Sequence, residues 1–114
     1  MKSKYNSVRS VCNQGHIHAS KMEKNRCNEL ALMERAGVIS LLEQQPEFIL
    51  QGKFKYRDKA IRKIVYRADF KYWDKERGQF VVEEVKGFKT AVYRLKKKML
   101  LYILQDSRIE FIEI

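Results

Sequence analysis

Two acids and a lysine between residues 66 and 86 are the side chains of this chain best suited to chemistry. Asp69 lies in one stretch of alternating residues, and Glu84 and Lys86 lie in a second stretch after a short polar turn. Because residues two apart on a strand share a face, Glu84 and Lys86 are expected to be neighbours on a predicted hairpin. An acid and a lysine in a valine-rich strand are costly unless they pair or bind something.

In the cleavage of a phosphodiester, each of these three side chains would have a chemical role. Magnesium takes oxygen ligands, commonly one or two carboxylates together with waters and phosphate oxygens, and Asp69 and Glu84 can supply the carboxylates. The metal polarises the phosphate and lowers the pKa of a bound water. Lys86 can orient that water and offset charge in the transition state. The simpler alternative is a cross-strand ion pair, which contributes little when exposed.

The composition predicts one globular domain with a polyanionic partner. A chain of 114 residues that is 45% hydrophobic fits a single packed domain, residues 1–114. The formal net charge of +10 is large for this length and favours nucleic acid. One basic cluster comprises Lys53, Lys55, Arg57, Lys59, Arg62 and Lys63. A second comprises Lys86, Lys89, Arg94, Lys96, Lys97 and Lys98. The C-terminal acids Asp106, Glu110 and Glu113 stand apart from both clusters in the sequence.

The hydropathy and the cysteines predict a protein of a reducing compartment with no membrane contact. The longest apolar run, residues 99–104, is far too short to cross a bilayer, and no secretory signal pattern precedes it. Cys12 and Cys27 have no metal-type spacing, so they are expected to be reduced thiols in the cytoplasm.

The N-terminal part predicts a hairpin followed by a helix. Residues 5–18 alternate weakly around Asn13-Gln14-Gly15, and His16 and His18 would share a face there. Two such histidines can bind a metal, but without a third ligand nearby a surface or phosphate-contacting role is favoured. Ser20 and Glu23 have the spacing of a capping box, which predicts a helix to about Arg35 with Gly37 as its stop.

Glu23 has two interpretations. It lies one turn from an apolar stripe formed by Cys27, Leu30 and Ala31. It can be a cap alone, which the spacing favours, or an acid that faces the sheet and reaches the metal site.

The remaining patterns predict strands, then a helix, then a last strand. Residues 38–50 are strand-like but broken at Gln44-Gln45-Pro46, and Phe48, Leu50 and Leu42 are candidates for the core. Residues 61–73 predict one long strand, paired with residues 79–86. The face predicted to pack on the core consists of Arg62, Ile64, Tyr66, Ala68, Phe70 and Tyr72.

Residues 90–105 predict a second helix, and residues 108–114 a final strand. The apolar period indicates a buried helix face made of Val92, Leu95, Met99 and Tyr102 or Ile103. The order of hairpin, helix, three strands, helix and strand is typical of an α/β or α+β fold, with a mixed central sheet flanked by helices.

The order of Glu23 on a helix, Asp69 on a strand, Glu84-Val85-Lys86 and a following helix resembles the PD-(D/E)XK nuclease superfamily. More closely, the chain resembles a family of small phage and prophage proteins placed in that superfamily. The resemblance covers nearly the whole chain. It is carried by Lys4-Tyr5-Asn6, Ser20-Lys21-Met22-Glu23, Gln45-Pro46, Tyr66-Arg67-Ala68-Asp69-Phe70, Glu83-Glu84-Val85-Lys86-Gly87, and Lys89-Thr90 through Tyr93-Arg94-Leu95-Lys96-Lys97-Lys98.

The resemblance implies a restriction-endonuclease-like core with an N-terminal hairpin, a divalent-metal site and DNA as substrate. It implies that Glu23 is an active-site acid, as in Holliday-junction resolvases of the superfamily, so that Glu23, Asp69 and Glu84 bind the metal. Gln45 is a further candidate from the neighbouring strand. Ala68 stands where the motif has proline, a position that is loose in the superfamily. Glu83 is expected to point away from the metal and to pair with a basic residue.

These expectations describe a Mg²⁺-dependent DNA endonuclease, for which Mn²⁺ can substitute, selective for branched DNA and encoded by a phage or prophage of a bacterial host. Phosphate contacts are expected from Lys89, Arg94, Lys96, Lys97 and Lys98 on the second helix, and from Lys55 and Arg57. A homodimer is expected, because symmetric cutting of two strands needs two sites. The alternatives are a nicking or repair-type nuclease of the same fold and a noncatalytic basic DNA-binding protein.

Overall fold

A computed structural model of the protein describes residues 10–12, 15, 17–18, 20–85 and 89–114. Within these ranges the chain forms two helices and ten short strands. In chain order they are β1 (Ser10–Val11), β2 (Ile17–His18), α1 (Lys21–Arg35), β3 (Ile39–Gln44), β4 (Glu47–Gln51), β5 (Phe54–Tyr56), β6 (Lys59–Ile61), β7 (Ile64–Arg67), β8 (Phe70–Asp74), β9 (Gln79–Glu84), α2 (Ala91–Leu104) and β10 (Ile109–Glu113).

The centre of the fold is a four-stranded mixed sheet with the strand order β10-β9-β8-β3. The pairs β3–β8 and β8–β9 are antiparallel, whereas β10 runs parallel to β9 after the crossover through α2. The pairs β4–β7, β5–β6 and β1–β2 form separate antiparallel ladders. The fold is therefore mixed α+β, as the order of the predicted elements indicates.

Two hydrophobic clusters lie on opposite faces of the central sheet. The cluster under α1 comprises Cys12, Cys27, Leu30, Ile39, Phe70, Tyr72, Val81 and Val85. The cluster under α2 comprises Tyr66, Ala68, Val82, Tyr93, Leu100 and Leu104. The neighbours Val81 and Val82 on β9 belong to different clusters, because successive strand side chains point to opposite faces. Both faces of β9 are thus buried, which explains its run of valines.

The predicted ends of α1 are confirmed. The Ser20 hydroxyl accepts a hydrogen bond from the Glu23 backbone N–H (3.2 Å), and the helix ends at Arg35. Gly37 follows with φ +80°, a conformation that glycine adopts without a Cβ clash. The hairpin before α1 is confirmed by the β1–β2 pairing, while residues 5–9, 13–14 and 16 of that prediction lie outside the described residues.

The prediction of one long strand over residues 61–73 is wrong. The chain breaks at residues 62–63 and again at residues 68–69, giving the ends of β6, β7 and β8. At the second break the Ala68 N–H donates to the Pro46 carbonyl (3.0 Å), and the Gln45 N–H donates to the Asp69 carbonyl (2.9 Å). These two hydrogen bonds hold the bend at residues 45–46 against the bend at residues 68–69. Tyr66 therefore packs under α2, whereas Phe70 packs under α1.

The bounds of α2 are confirmed, but the predicted buried face is wrong. The Thr90 hydroxyl caps the helix by accepting from the Tyr93 N–H (3.0 Å). The buried residues are Tyr93, Leu100 and Leu104. The predicted ones are largely exposed, namely Val92, Leu95, Tyr102 and Ile103. The helix is apolar on two sides, so a 3.6-residue period fits either of them and cannot choose between them.

Leu100 and Leu95 offer a matched test of which side of α2 is buried. Leu100→Ala removes a side chain with no exposed area and is expected to lower the free energy of unfolding by about 2–5 kcal/mol. Leu95→Ala removes a side chain that is 60% exposed and is expected to change it by less than about 0.5 kcal/mol. Urea denaturation of the two variants measures both values. Equal losses, or the reverse order, would contradict the observed packing.

Candidate active site

Asp69 is fixed against the end of β9 by two hydrogen bonds. Its backbone N–H donates to the Glu83 carbonyl (3.1 Å), and its Oδ2 accepts from the Val85 N–H (2.6 Å). Asp69 is therefore bonded to the residues on both sides of Glu84. The two acids that the sequence analysis singled out meet where β8 begins and β9 ends.

Glu84 is a buried acid, only 3% exposed, on the α2 side of the sheet. Its Oε1 accepts a hydrogen bond from the Tyr66 hydroxyl (2.6 Å), which reaches it from β7. Burial, reinforced by the adjacent Glu84 carboxylate, raises the pKa of Tyr66, so its hydroxyl stays protonated and remains a donor. Tyr66 thus fixes one Glu84 oxygen in position without adding charge to the site.

A second tyrosine, Tyr93 on α2, lies close to both acids. Burial raises the pKa of Tyr93, its hydrogen bond with Tyr66 opposes that change, and the charges of Glu84 and Asp69 add to it. The centres of the Tyr66 and Tyr93 rings are 6.2 Å apart. Neither tyrosine was predicted to belong to the site. The available signal was Tyr66 on the predicted core face, because a buried phenol generally needs a hydrogen-bond partner.

A surface depression of about 370 Å³ opens beside Glu84. It is lined by Val65, Tyr66, Arg67, Glu84, Thr90, Val92, Tyr93 and Lys96. Lys96 and Arg67 place positive charge at its wall, although the Arg67 guanidinium also pairs with Glu47 at 2.6 Å. An anionic group that entered the depression would meet a lysine ammonium on one side and the Glu84 carboxylate on the other.

The acids suit a hard divalent cation with two protein ligands. Carboxylate oxygens are the donors that Mg²⁺ prefers, and one or two of them normally suffice, because waters and phosphate oxygens complete its shell. The register of β8 with β9 pairs Phe70 with Glu83, which brings Asp69 next to Glu84, and the Asp69 carboxylate accepts from the Val85 N–H. Within the described residues, no three His, Cys, Asp or Glu side chains are grouped so as to hold a metal ion. A third carboxylate ligand from Glu23 therefore stays a prediction.

Glu23 is buried in the first turn of α1, only 4% exposed. Its backbone N–H donates the cap bond to the Ser20 hydroxyl, whereas the cap role expected of its carboxylate stays a prediction. Its helix packs on the face of the sheet opposite to α2, whereas Glu84 contacts Tyr66 on the α2 side.

The prediction that Glu83 pairs with a basic residue, away from the site, is confirmed. It has no exposed area and accepts two hydrogen bonds from the Arg26 guanidinium of α1 (2.7 and 2.6 Å). The Tyr72 hydroxyl donates a third (2.5 Å). A buried carboxylate with this many donors is a structural ion pair. The two consecutive acids of β9 thus face opposite layers, as strand alternation requires.

The cysteines form a contact that their spacing did not predict. The Sγ atoms of Cys12 and Cys27 are 3.2 Å apart, and both residues are buried thiols that are not joined in a disulfide. Burial, together with the Cys12 thiol, raises the pKa of Cys27 to about 12, so this thiol is protonated at neutral pH. The pair fastens the N-terminal hairpin to α1, one turn beyond Glu23.

Gln45 supports the site through its backbone. It has a left-handed conformation (φ +49°), which is uncommon for residues other than glycine, and its side chain is exposed. Its N–H is the donor to the Asp69 carbonyl. Such strain persists where the surrounding contacts impose it, here at the bend that brings Asp69 to β9. A catalytic role for the Gln45 side chain stays a prediction.

Three predicted residues cannot be placed. Lys86 and His16 lie outside the described residues, and so does the side chain of His18. Their roles stay predictions.

The basic residues on α2 and just before it differ in their surroundings. Lys89, Arg94 and Lys98 are exposed, whereas Lys96 and Lys97 are partly buried. The parallel pairing of β10 with β9 brings Glu113, which is distant in sequence, to Lys97 and to Lys89 (2.8 Å). Lys55 and Arg57 lie elsewhere, on the exposed β5–β6 hairpin.

A family model described as a protein of unknown function (DUF1064) matches residues 2–113. The chain belongs to the DUF1064 family. Neither the search of curated proteins nor the search of solved structures found a match. Within the described residues, neither helix has the length and apolar character needed to cross a membrane.

Substitutions at Gln45 test whether its strained backbone holds the bend. Gln45→Gly allows the positive φ and is expected to leave the free energy of unfolding within about 0.5 kcal/mol of the wild-type value, or to raise it. Gln45→Val places a β-branched residue at that φ and is expected to lower it by about 1–3 kcal/mol. Urea denaturation measures both. A valine variant as stable as the glycine variant would contradict the imposed conformation.

Proposed function

We propose that the protein is a metal-dependent DNA endonuclease that hydrolyses phosphodiester bonds. The observation that supports it most is the meeting of Asp69 and Glu84, beside a depression whose wall carries Lys96. The net charge of +10 supports a polyanionic substrate. The sequence resemblance to the PD-(D/E)XK superfamily supports DNA, and branched DNA such as a Holliday junction in particular, with a phage or prophage origin.

In this proposal each residue of the site has a defined task. Asp69 and Glu84 would hold Mg²⁺, which would polarise the scissile phosphate and lower the pKa of a bound water. Tyr66 fixes the orientation of the Glu84 carboxylate through its hydroxyl. Lys96 attracts the phosphate at the mouth of the depression. Lys86 is proposed from the sequence alone as the cation that offsets charge in the transition state.

A noncatalytic DNA-binding protein is the second candidate, and specific contacts favour it. Asp69 accepts from the Val85 N–H and Glu84 accepts from the Tyr66 hydroxyl, so both acids also serve the fold. Under this candidate the basic surface binds DNA and nothing is cleaved. A nicking or repair-type nuclease of the same fold is a variant of the first candidate, and it is separated by the DNA structure that is cut.

Amide substitutions separate catalysis from folding at this site. Asp69→Asn and Glu84→Gln keep an oxygen acceptor for the Val85 N–H and the Tyr66 hydroxyl, but they remove the charge. Each is expected to lower the cleavage rate at least about a hundredfold while DNA binding stays, because a metal ligand contributes several kcal/mol. The assay offers a four-way junction, a flap and a plain duplex with Mg²⁺ or Mn²⁺.

Glu76→Gln is the matched control, since Glu76 is an exposed acid in the turn between β8 and β9. It is expected to cleave as the wild type does. Loss of binding together with cleavage, at unchanged fold, would favour a structural role for the two acids. Absence of cleavage by the wild type on every substrate would support the noncatalytic candidate.

A homodimer is proposed for cutting two strands, and the outer side of α2 is its best-suited contact. Leu95, Tyr102 and Ile103 are exposed there at helical spacing, whereas the exposed Val92 lines the depression beside Glu84. Exposed apolar stripes of this kind commonly mark protein contacts. Leu95→Glu is expected to shift the wild-type dimer to monomer in light scattering coupled to size exclusion, whereas Leu32→Glu on α1 (61% exposed) is expected to leave it dimeric. A monomeric wild type at tens of micromolar would contradict the dimer.

A further inference from the structure

The β5–β6 hairpin projects from the body of the protein. All residues from Phe54 to Ile61 are exposed, and among the described elements β5 and β6 pack only against each other. An isolated two-stranded hairpin is marginally stable in water, and ordering its backbone costs conformational entropy. We call residues 53–63 the arm. This regular hairpin buries none of its side chains in the core, which suggests that it binds another molecule.

The charge of the arm is almost entirely positive. Its six cations are Lys53, Lys55, Arg57, Lys59, Arg62 and Lys63, and they face one acid, Asp58. At the tip, the Arg57 guanidinium lies 5.5 Å from the centre of the Tyr56 ring. This cation–π contact favours a guanidinium held at the end of the ribbon.

The cations extend to the base of the arm. A depression of about 780 Å³ there is lined by Ile49, Gly52, Lys53, Arg62, Lys63 and Val65. Lys53 precedes β5, and Arg62 and Lys63 follow β6, so positive charge flanks both sides of the ribbon where it joins the body. The phosphates along the two edges of a DNA groove carry the opposite charge and would contact these cations.

We propose that the arm enters the major groove of duplex DNA. Its strands are three residues long, about 10 Å, and lie about 4.8 Å apart. The major groove is about 12 Å wide and 8.5 Å deep and admits a two-stranded ribbon, whereas the minor groove is about 6 Å wide. Lys55 and Arg57 then face base edges, and the cations at the base contact phosphates.

The arm also leads directly into the candidate active site. The chain passes from β6 through Arg62 and Lys63 into β7, whose Tyr66 donates to Glu84. Groove binding by the arm would therefore orient the duplex relative to Glu84. The choice of DNA as ligand rests on the proposed function, but the arm acts in binding, so it is tested without any cleavage.

The test compares Lys55→Ala/Arg57→Ala with the control Arg35→Ala/Lys75→Ala, in which two exposed cations are removed elsewhere. Fluorescence anisotropy on a duplex of about 25 base pairs, in EDTA, gives the dissociation constant against salt. The arm variant is expected to bind about tenfold more weakly with a salt slope close to that of the wild type, since these two side chains face base edges and the slope follows phosphate contacts. The control is expected to match the wild type within about twofold.

Dimethyl sulfate footprinting on the same duplex identifies the groove, because it methylates guanine N7 in the major groove and adenine N3 in the minor groove. The wild type and the control are expected to protect guanine N7, and the arm variant to lose that protection at saturating protein. Protection of adenine N3 instead, or an arm variant with an unchanged footprint, would overturn the proposal. So would an arm variant that changes only the oligomeric state, because the arm would then contact protein.

The outcomes also distinguish this proposal from the proposed function. Cleavage that persists with an unchanged footprint in the arm variant removes the arm proposal and leaves the nuclease. A wild type that binds no duplex and cleaves no DNA removes both. Circular dichroism of the two double variants checks that these substitutions of exposed residues leave the fold intact.

Discussion

The bend at Gln45-Pro46 and Ala68-Asp69 is the constraint on which the candidate site depends. Two backbone hydrogen bonds join these segments, from the Gln45 N–H to the Asp69 carbonyl and from the Ala68 N–H to the Pro46 carbonyl. They end two strands at once and move the chain from the α2 layer to the α1 layer. Asp69 follows the bend and lies beside the end of β9, where the Val85 N–H donates a hydrogen bond to its carboxylate. Without the bend, residues 61–73 would continue as a single strand and this junction would not form.

The two neighbouring acids of β9 face opposite sides of the sheet and have different roles: Glu83 forms a structural ion pair, and Glu84 is a candidate site residue. Glu83 faces α1, where the Arg26 guanidinium and the Tyr72 hydroxyl bind it and its burial is matched by an opposite charge. Glu84 faces α2, where the Tyr66 hydroxyl orients it next to a depression that opens to solvent. A carboxylate that is oriented by a neutral donor and lies at an opening suits ligand binding better than one bound by a guanidinium.

Much of the fold could be predicted because the relevant signals are local. The Ser20 cap, the Gly37 stop and the Thr90 cap depend on residues within one helical turn, and each is observed. The alternation of Val82, Glu83 and Glu84 likewise needs only the strand period, and the pairing of Glu83 with a basic residue followed from it.

The predictions that are wrong concern features that depend on contacts between residues far apart in the sequence. No local pattern shows that Pro46 bonds to Ala68, so the long strand was not broken in the prediction. The apolar residues of α2 fit two faces, and only the sheet beneath selects Tyr93, Leu100 and Leu104. The Cys12–Cys27 contact and the approach of Glu113 to Lys97 also join residues from separate elements. Asp69 and Glu84 were predictable as a pair, whereas the tyrosines around them follow from tertiary packing.

Anomalous scattering from crystals of the protein grown with Mn²⁺ would test the central claim most directly. The account predicts a manganese peak within bonding distance of both the Asp69 and the Glu84 carboxylates, at the mouth of the depression lined by Lys96. No peak at that position, in crystals that bind Mn²⁺ elsewhere or not at all, would contradict it.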